Sequence, residues 1–189
     1  MKHWGWLAAA VVVALAAGGC SKKVEAPKPP SMTVKDIMDT QVDPSGDFLF
    51  ESVQEISDEK GVRRKAPASD AEWQEVRRHL TVLDDAARTL AAGGLKAAGP
   101  NDKSAAPGVE NEPAEIDRLM ATQPVEFATR AHRLGDAAGA GLRAVGAKNV
   151  DELVLALGQI DRACEGCHLH FWYPNDERAR EQARAQGIP

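Results

Sequence analysis

Between about residues 33 and 173, apolar positions recur every three or four residues, the spacing of a helix with one buried face. The clearest run is Trp73, Val76, Leu80, Leu83, Ala87 and Leu90. Ser69 or Asp70 can cap it, Glu72 completes an S-x-x-E capping box with Ser69, and Gly93-Gly94 ends it. A second helix is predicted after Pro124, with Phe127, Ala131, Leu134, Ala138 and Val145 on one face. A third carries Leu153, Leu157, Ile160, Cys164 and Phe171; Asn149 or Asp151 can cap it, and Pro174 forbids its simple continuation. The earliest helix, from about Thr33 to Ile56, is less regular. Val34, Met38, Val42, Leu49, Val53 and Ile56 lie near one face, and Pro44-Ser45-Gly46 must kink or break it.

Residues 95–112 are rich in Gly, Ala, Pro, Asn and Asp and read as a loop. A short helix from Ala114 to Thr122 then leads into Pro124, and the charged, apolar-poor tail 174–189 is expected to form a solvated helix or to fray. Aromatics make up only 5% of the chain, and few runs of Val, Ile, Thr or Tyr alternate with polar residues, which favours helices over strands. No repeat of fixed period is visible. Four amphipathic helices, each with one core seam, predict an all-α, antiparallel four-helix bundle over residues 33–173.

The first residues change the picture of where the protein works. Lys2 and His3 precede an apolar run, Leu7 to Ala17, of roughly eleven residues, too short to span a bilayer. Residues 1–19 therefore read as an export signal. A Cys at position 20, after Gly18-Gly19, resembles the lipobox of bacterial lipoproteins, in which that thiol is acylated; Ala17 stands where that family usually has Leu. Ordinary signal cleavage beside an incidental Cys is the alternative. The resemblance implies a periplasmic protein anchored to a bacterial membrane through Cys20, and Ser21 after it resembles lipoproteins sorted to the outer membrane. Residues 20–32, with Lys22, Lys23, Pro27, Pro29 and Pro30, offer nothing to a core and read as a tether of roughly 30 Å if extended.

Cys164-Glu165-Gly166-Cys167-His168 is C-x-x-C-H, the attachment sequence for c-type haem. On a helix, positions 164, 167 and 168 share an arc of roughly 100°, so two thiols and an imidazole face one partner. The thiols suit thioether links to two vinyl groups, and the imidazole suits axial ligation of iron. Three rivals exist. Structural zinc needs four ligands, and the only other Cys is Cys20. A thioredoxin-like dithiol sits after a strand and opens a helix, whereas this motif lies near a helix C-terminus. A Cys164–Cys167 disulfide has poor geometry on a helix and leaves His168 unexplained.

A C-x-x-C-H on the last helix of an all-helical chain, followed by an aromatic at Phe171, resembles the class II c-type cytochromes: the cytochrome c-prime group and its low-spin relatives. The likeness spans about residues 33–173, with Trp172 where many members carry a basic residue. It implies one covalent haem c on Cys164 and Cys167, His168 as axial iron ligand, Phe171 against the cofactor, and Met38 as candidate second axial ligand. An open sixth position, or His79 or His132, remains as an alternative, though both histidines lie on the edges of their helix stripes, where a solvated ring is the commoner case, and a Met at helical spacing is also ordinary core filler. His170 is about 200° from His168 around the helix and cannot reach the opposite haem face. Met32 and Met120 rank low as ligands. Trp73, Phe127, Phe171 and Trp172 suit either a water-excluding pocket or ordinary core.

Asp36, Asp39, Asp43, Asp47, Glu51 and Glu55 form an acidic stripe on the first helix, either a solvated face or a surface that steers a basic redox partner. The expected function is single-electron transfer between periplasmic partner proteins, with no substrate turned over. The alternative is a haem module that binds or senses NO or CO. A peroxidase would need distal groups such as Arg130, His132 or His79, which nothing in the sequence places. No nucleic-acid partner is expected, and the resemblance allows a homodimer.

Overall fold

The computed structural model describes residues 32–59 and 61–188. The expected export signal, Cys20 and the tether up to Ser31 lie outside the described residues. In chain order the elements are α1 (Val34–Ile37), a π-helical turn (Met38–Val42), α2 (Asp43–Ser52), β1 (Gln54–Asp58), β2 (Gly61–Lys65), α3 (Asp70–Ala91), α4 (Pro113–Thr122), α5 (Pro124–Ala147), α6 (Val150–Phe171) and α7 (Glu177–Ala185). Apart from one small hairpin, the described chain is all-α.

Local chemistry sets the helix ends. The Ser69 hydroxyl accepts from the Glu72 N–H, and the Glu72 carboxylate accepts from the Ser69 N–H at 2.8 Å, so two orphan donors at the start of α3 are satisfied. Asn149 caps α6 by accepting from the Glu152 N–H. Only Lys148 and Asn149 separate α5 from α6, and Lys148 makes the reversal in the left-handed region at φ 50°.

Helix α5 is the centre of the packing. Its Gly141 lies on Leu80 of α3 and its Gly135 on Ala87, while toward α6 Phe127 meets Phe171 and Arg130 reaches Gly166. In both sets one number rises as the other falls, so α5 runs antiparallel to each neighbour. Leu80, Leu83, Leu153, Ile160 and Phe171 are essentially inaccessible, and each contributes about 1.5–3 kcal/mol by leaving water. Helix α2 packs on α3 through Leu49 and Phe48.

The structure departs from the sequence reading at three places. The helix expected to reach Ile56 stops at Ser52; Val53 turns extended, and Ile56 lies in β1, paired with Arg63 of β2. Both strands are almost wholly exposed and charged, so no alternation of apolar residues announces them. Of the kink or break expected at Pro44-Ser45-Gly46, no break occurs: α2 runs through the three residues, directly after the π-helical turn. In the tail, α7 is not simply solvated, since Ala183 and Ile188 are buried and Ile188 lies over Gly166.

His79 is a further correction. The edge of the α3 stripe suggests a solvated ring, yet His79 is buried and stacked on Phe48 with ring centres 4.0 Å apart. Its Nδ1 has no hydrogen-bond partner, and Nε2 lies 2.7 Å from Arg78 Nη2. Burial, and then the Arg78 charge, lower its pKa below the ordinary 6.5. The unfolded chain therefore takes up a proton near pH 6.5 that the folded chain resists, and stability is lost as pH falls below that value. His79→Phe keeps the stack on Phe48 and removes the titration. Urea midpoints measured from pH 7.5 to 5 should fall less steeply in the variant, with His170, lowered in the same sense, keeping part of the slope.

Candidate functional site

A cavity of about 310 Å³ lies between α1 and its π turn on one side and α5 and α6 on the other, with the 103–111 segment across one end. Its size falls at the lower end of small-molecule sites. Cys164, Cys167 and His168 of α6 all line it, as their shared helical arc requires. Met38, the first residue of the π turn, lines the same cavity from the other side of the chain. Val34, Val42, Leu90, Ile116, Phe127, Ala131, Leu134 and Ala163 make the wall predominantly apolar. Exposed Lys35, Asp39, Asp43 and Lys103 sit on its rim, so one edge opens to solvent.

The chemistry of the motif follows from its surroundings. Cys164 and Cys167 are free thiols. Burial pushes Cys164 up to about 12, helped by the Cys167 and Asp161 charges, and pushes Cys167 up to about 11. Such thiols stay protonated at neutral pH, which argues against a redox dithiol whose work needs a thiolate. Their place in the last turns of α6, near the negative end of the helix dipole, acts in the same direction. His168 is shifted below the ordinary imidazole value by burial, so the ring is neutral and keeps a lone pair for a metal. Among the described residues no group of three or more His, Cys, Asp and Glu side chains is arranged to hold a metal ion.

Of the alternative distal groups, His132 is exposed, and neither it nor His79 reaches the cavity. His170 points away as expected: its Nε2 lies 2.8 Å from Gln123 Oε1 on the far side of α6. Met32 is exposed and Met120 is buried elsewhere. Trp172 and Phe127 line the cavity, whereas Trp73 belongs to the core around α3. Phe171 differs from expectation. It is wholly buried but does not line the cavity; it backs the wall edge-on to Phe127, with ring centres 5.3 Å apart.

Several lining residues carry no sequence signal. Asn111 clamps the loop to the end of α6, its N–H donating to the Trp172 carbonyl at 2.7 Å and its side-chain amide to the Phe171 carbonyl at 2.9 Å. Two carbonyls left open by helix termination are thereby satisfied, and the cavity gains its end wall from Lys103, Ser104, Ala105 and Glu110. Tyr173 follows on the same wall and donates to Glu165 at 2.9 Å. Arg130 is a buried cation of α5 whose Nη1 donates to the Gly166 carbonyl within the motif. Glu126 lies 2.7 Å from its Nε, a charge contact without hydrogen-bond alignment.

No helix among the described residues is long and apolar enough to cross a membrane. No family model, curated protein or solved structure matches the chain.

Proposed function

We propose that the protein is a monohaem c-type cytochrome, a four-helix bundle formed by the α1–α2 arm, α3, α5 and α6, that carries single electrons outside the bacterial cytoplasm. The observation that carries this reading is the convergence of Cys164, Cys167, His168 and Met38 on one apolar cavity with a solvent-open edge. Cys164 and Cys167, both held protonated, would hold the haem through two thioether links to its vinyl groups. His168, neutral and on the same helical arc, would hold the iron through a ring nitrogen. Met38, lining the same cavity, would offer the iron a soft thioether, a ligand that favours ferrous iron and raises the potential. Bound there, haem contributes an iron centre that accepts and releases one electron. The apolar wall excludes water, and the rim of Lys35, Asp39, Asp43 and Lys103 leaves an edge for a partner protein.

The export signal and a lipid anchor at Cys20 complete the proposal. Both rest on sequence, as does the resemblance to class II cytochromes.

The test is the absorption spectrum of the full chain, produced with haem-attachment machinery, in oxidised, reduced and CO-treated forms, beside Met38→Ala. A low-spin spectrum inert to CO in the parent and CO-reactive in Met38→Ala is expected. A high-spin parent that already binds CO would move the reading to a gas-binding module. Absence of covalent haem would overturn it.

A further inference from the structure

The one departure from α-helical geometry in the arm that carries Met38 begins at Met38 itself. The Asp43 N–H donates to the Met38 carbonyl, five residues back rather than four. Pro44 follows at once. In a regular α-helix residue 44 would donate to the Thr40 carbonyl, but proline has no N–H and its ring collides with that carbonyl. Widening the turn before Pro44 relieves the collision, so the helix continues into α2 instead of breaking.

The widened turn decides which side chains face the cavity. In an α-helix a residue five positions after Met38 lies about 140° around the axis, on the solvent side. With the turn widened so that the Asp43 N–H reaches the Met38 carbonyl, Asp43 is swung back toward the Met38 side, and both line the cavity, with buried Val42 beside them.

Both ends of the arm are fixed independently. Before the turn, Val34 and Ile37 are buried, and the Val34 and Lys35 N–H groups donate to the Lys96 and Ala97 carbonyls at 2.8 and 2.9 Å. After it, Ser45 and Leu49 are buried, with Leu49 in the core. Removing one residue between two anchored ends must rotate one of them by roughly 100°, and Met38 sits at the junction.

We infer that the π turn Met38–Val42, held open by Pro44, sets the reach of Met38 into the cavity, making Pro44 a positioning residue for the ligand opposite His168. This rests on the proposal that haem occupies the cavity. It adds that a proline outside the cavity decides whether the distal side is closed by a thioether or open to small diatomic ligands.

The experiment compares the parent full chain, a deletion of Thr40 and Pro44→Ala, each produced with haem-attachment machinery. Covalent haem content is read separately from ligation. Ligation is followed by the weak red charge-transfer band of thioether-bound ferric haem and by the rate of CO uptake by the ferrous protein, and helix content by circular dichroism. The expected result is equal covalent haem in all three. The Thr40 deletion loses the thioether band and binds CO, and Pro44→Ala, which restores an N–H able to pair with the Thr40 carbonyl, loses part of the band and takes up CO, which the parent does not, through a partly open population. If the deletion does not fold, Pro44→Ala alone decides. A Pro44→Ala protein with the parental band and parental CO inertness overturns the inference while leaving the haem reading intact, and so does a haem-loaded parent without the thioether band. A parent without covalent haem fails at the earlier step and overturns both.

Discussion

Replacing Cys164 and Cys167 together by Ala should leave no haem on the chain after extraction with acidified organic solvent, while the parent keeps all of it. With the proposed haem bound, acid would protonate His168 and remove its hold on the iron, so only carbon–sulfur bonds would survive the extraction. Either single variant should retain haem through the remaining link. Both thiols line the cavity at the end of α6 and are only half-buried, and neither belongs to the fully buried core, so the double variant should keep its helix content. The measurement is haem absorbance per chain before and after extraction. Parental retention by the double variant would sink the thioether assignment.

The largest effect on stability is expected where α3 and α5 come closest. A Cβ placed on Gly141 would lie 2.7 Å from Leu80 Cδ2 and 3.0 Å from Leu80 Cδ1, and Leu80 is itself fully buried with nowhere to retreat. Leu80→Ala should cost about 2–5 kcal/mol through lost transfer energy and the cavity it leaves. Gly141→Ala alone sets overpacking of about 1–3 kcal/mol against a gain in helix propensity of about 1 kcal/mol, for a net loss. In the Leu80→Ala background the new methyl group has room, so the same Gly141→Ala change should turn neutral or stabilising. Such a reversal of sign is the mark of direct contact in a double-mutant cycle. Urea unfolding of the four proteins at unchanged m-value measures it. Equal Gly141→Ala effects in both backgrounds would show that the two residues do not set the interhelix spacing.

Much of the fold is legible in the chain because its signals are local. A capping box spans four residues, an N-cap bonds within three, and a 3.6-residue apolar period is visible along any single helix. Thus Ser69, Glu72, Asn149 and Pro124 mark helix starts within a residue or two of where they occur. The arc shared by Cys164, Cys167 and His168 is equally local, which is why their common facing is readable before any packing is known.

What the sequence did not disclose depends on partners distant in the chain. The β1–β2 hairpin pairs two exposed, charged segments, so no burial pattern marks it. His79 looks solvated from its own helix and is buried only because Phe48 of α2 lies over it. Asn111, in a segment that reads as featureless loop, becomes a wall of the cavity by bonding to carbonyls sixty residues away. Phe171 keeps its place in the core, but the crossing of α5 puts Phe127 in front of it.

By itself, then, the sequence determined the helices, their buried faces and the three-residue chemical motif, because each is a property of one helix. Only the tertiary structure decided which side chains stand opposite that motif. Met38 lies 126 residues before Cys164, and it shares a cavity with His168 through the π turn that precedes Pro44 and through two anchors, to the 96–97 backbone and to α3. Periodicity gives the direction of a side chain relative to its own helix axis, whereas the rotation of one helix against another is fixed by packing across the core.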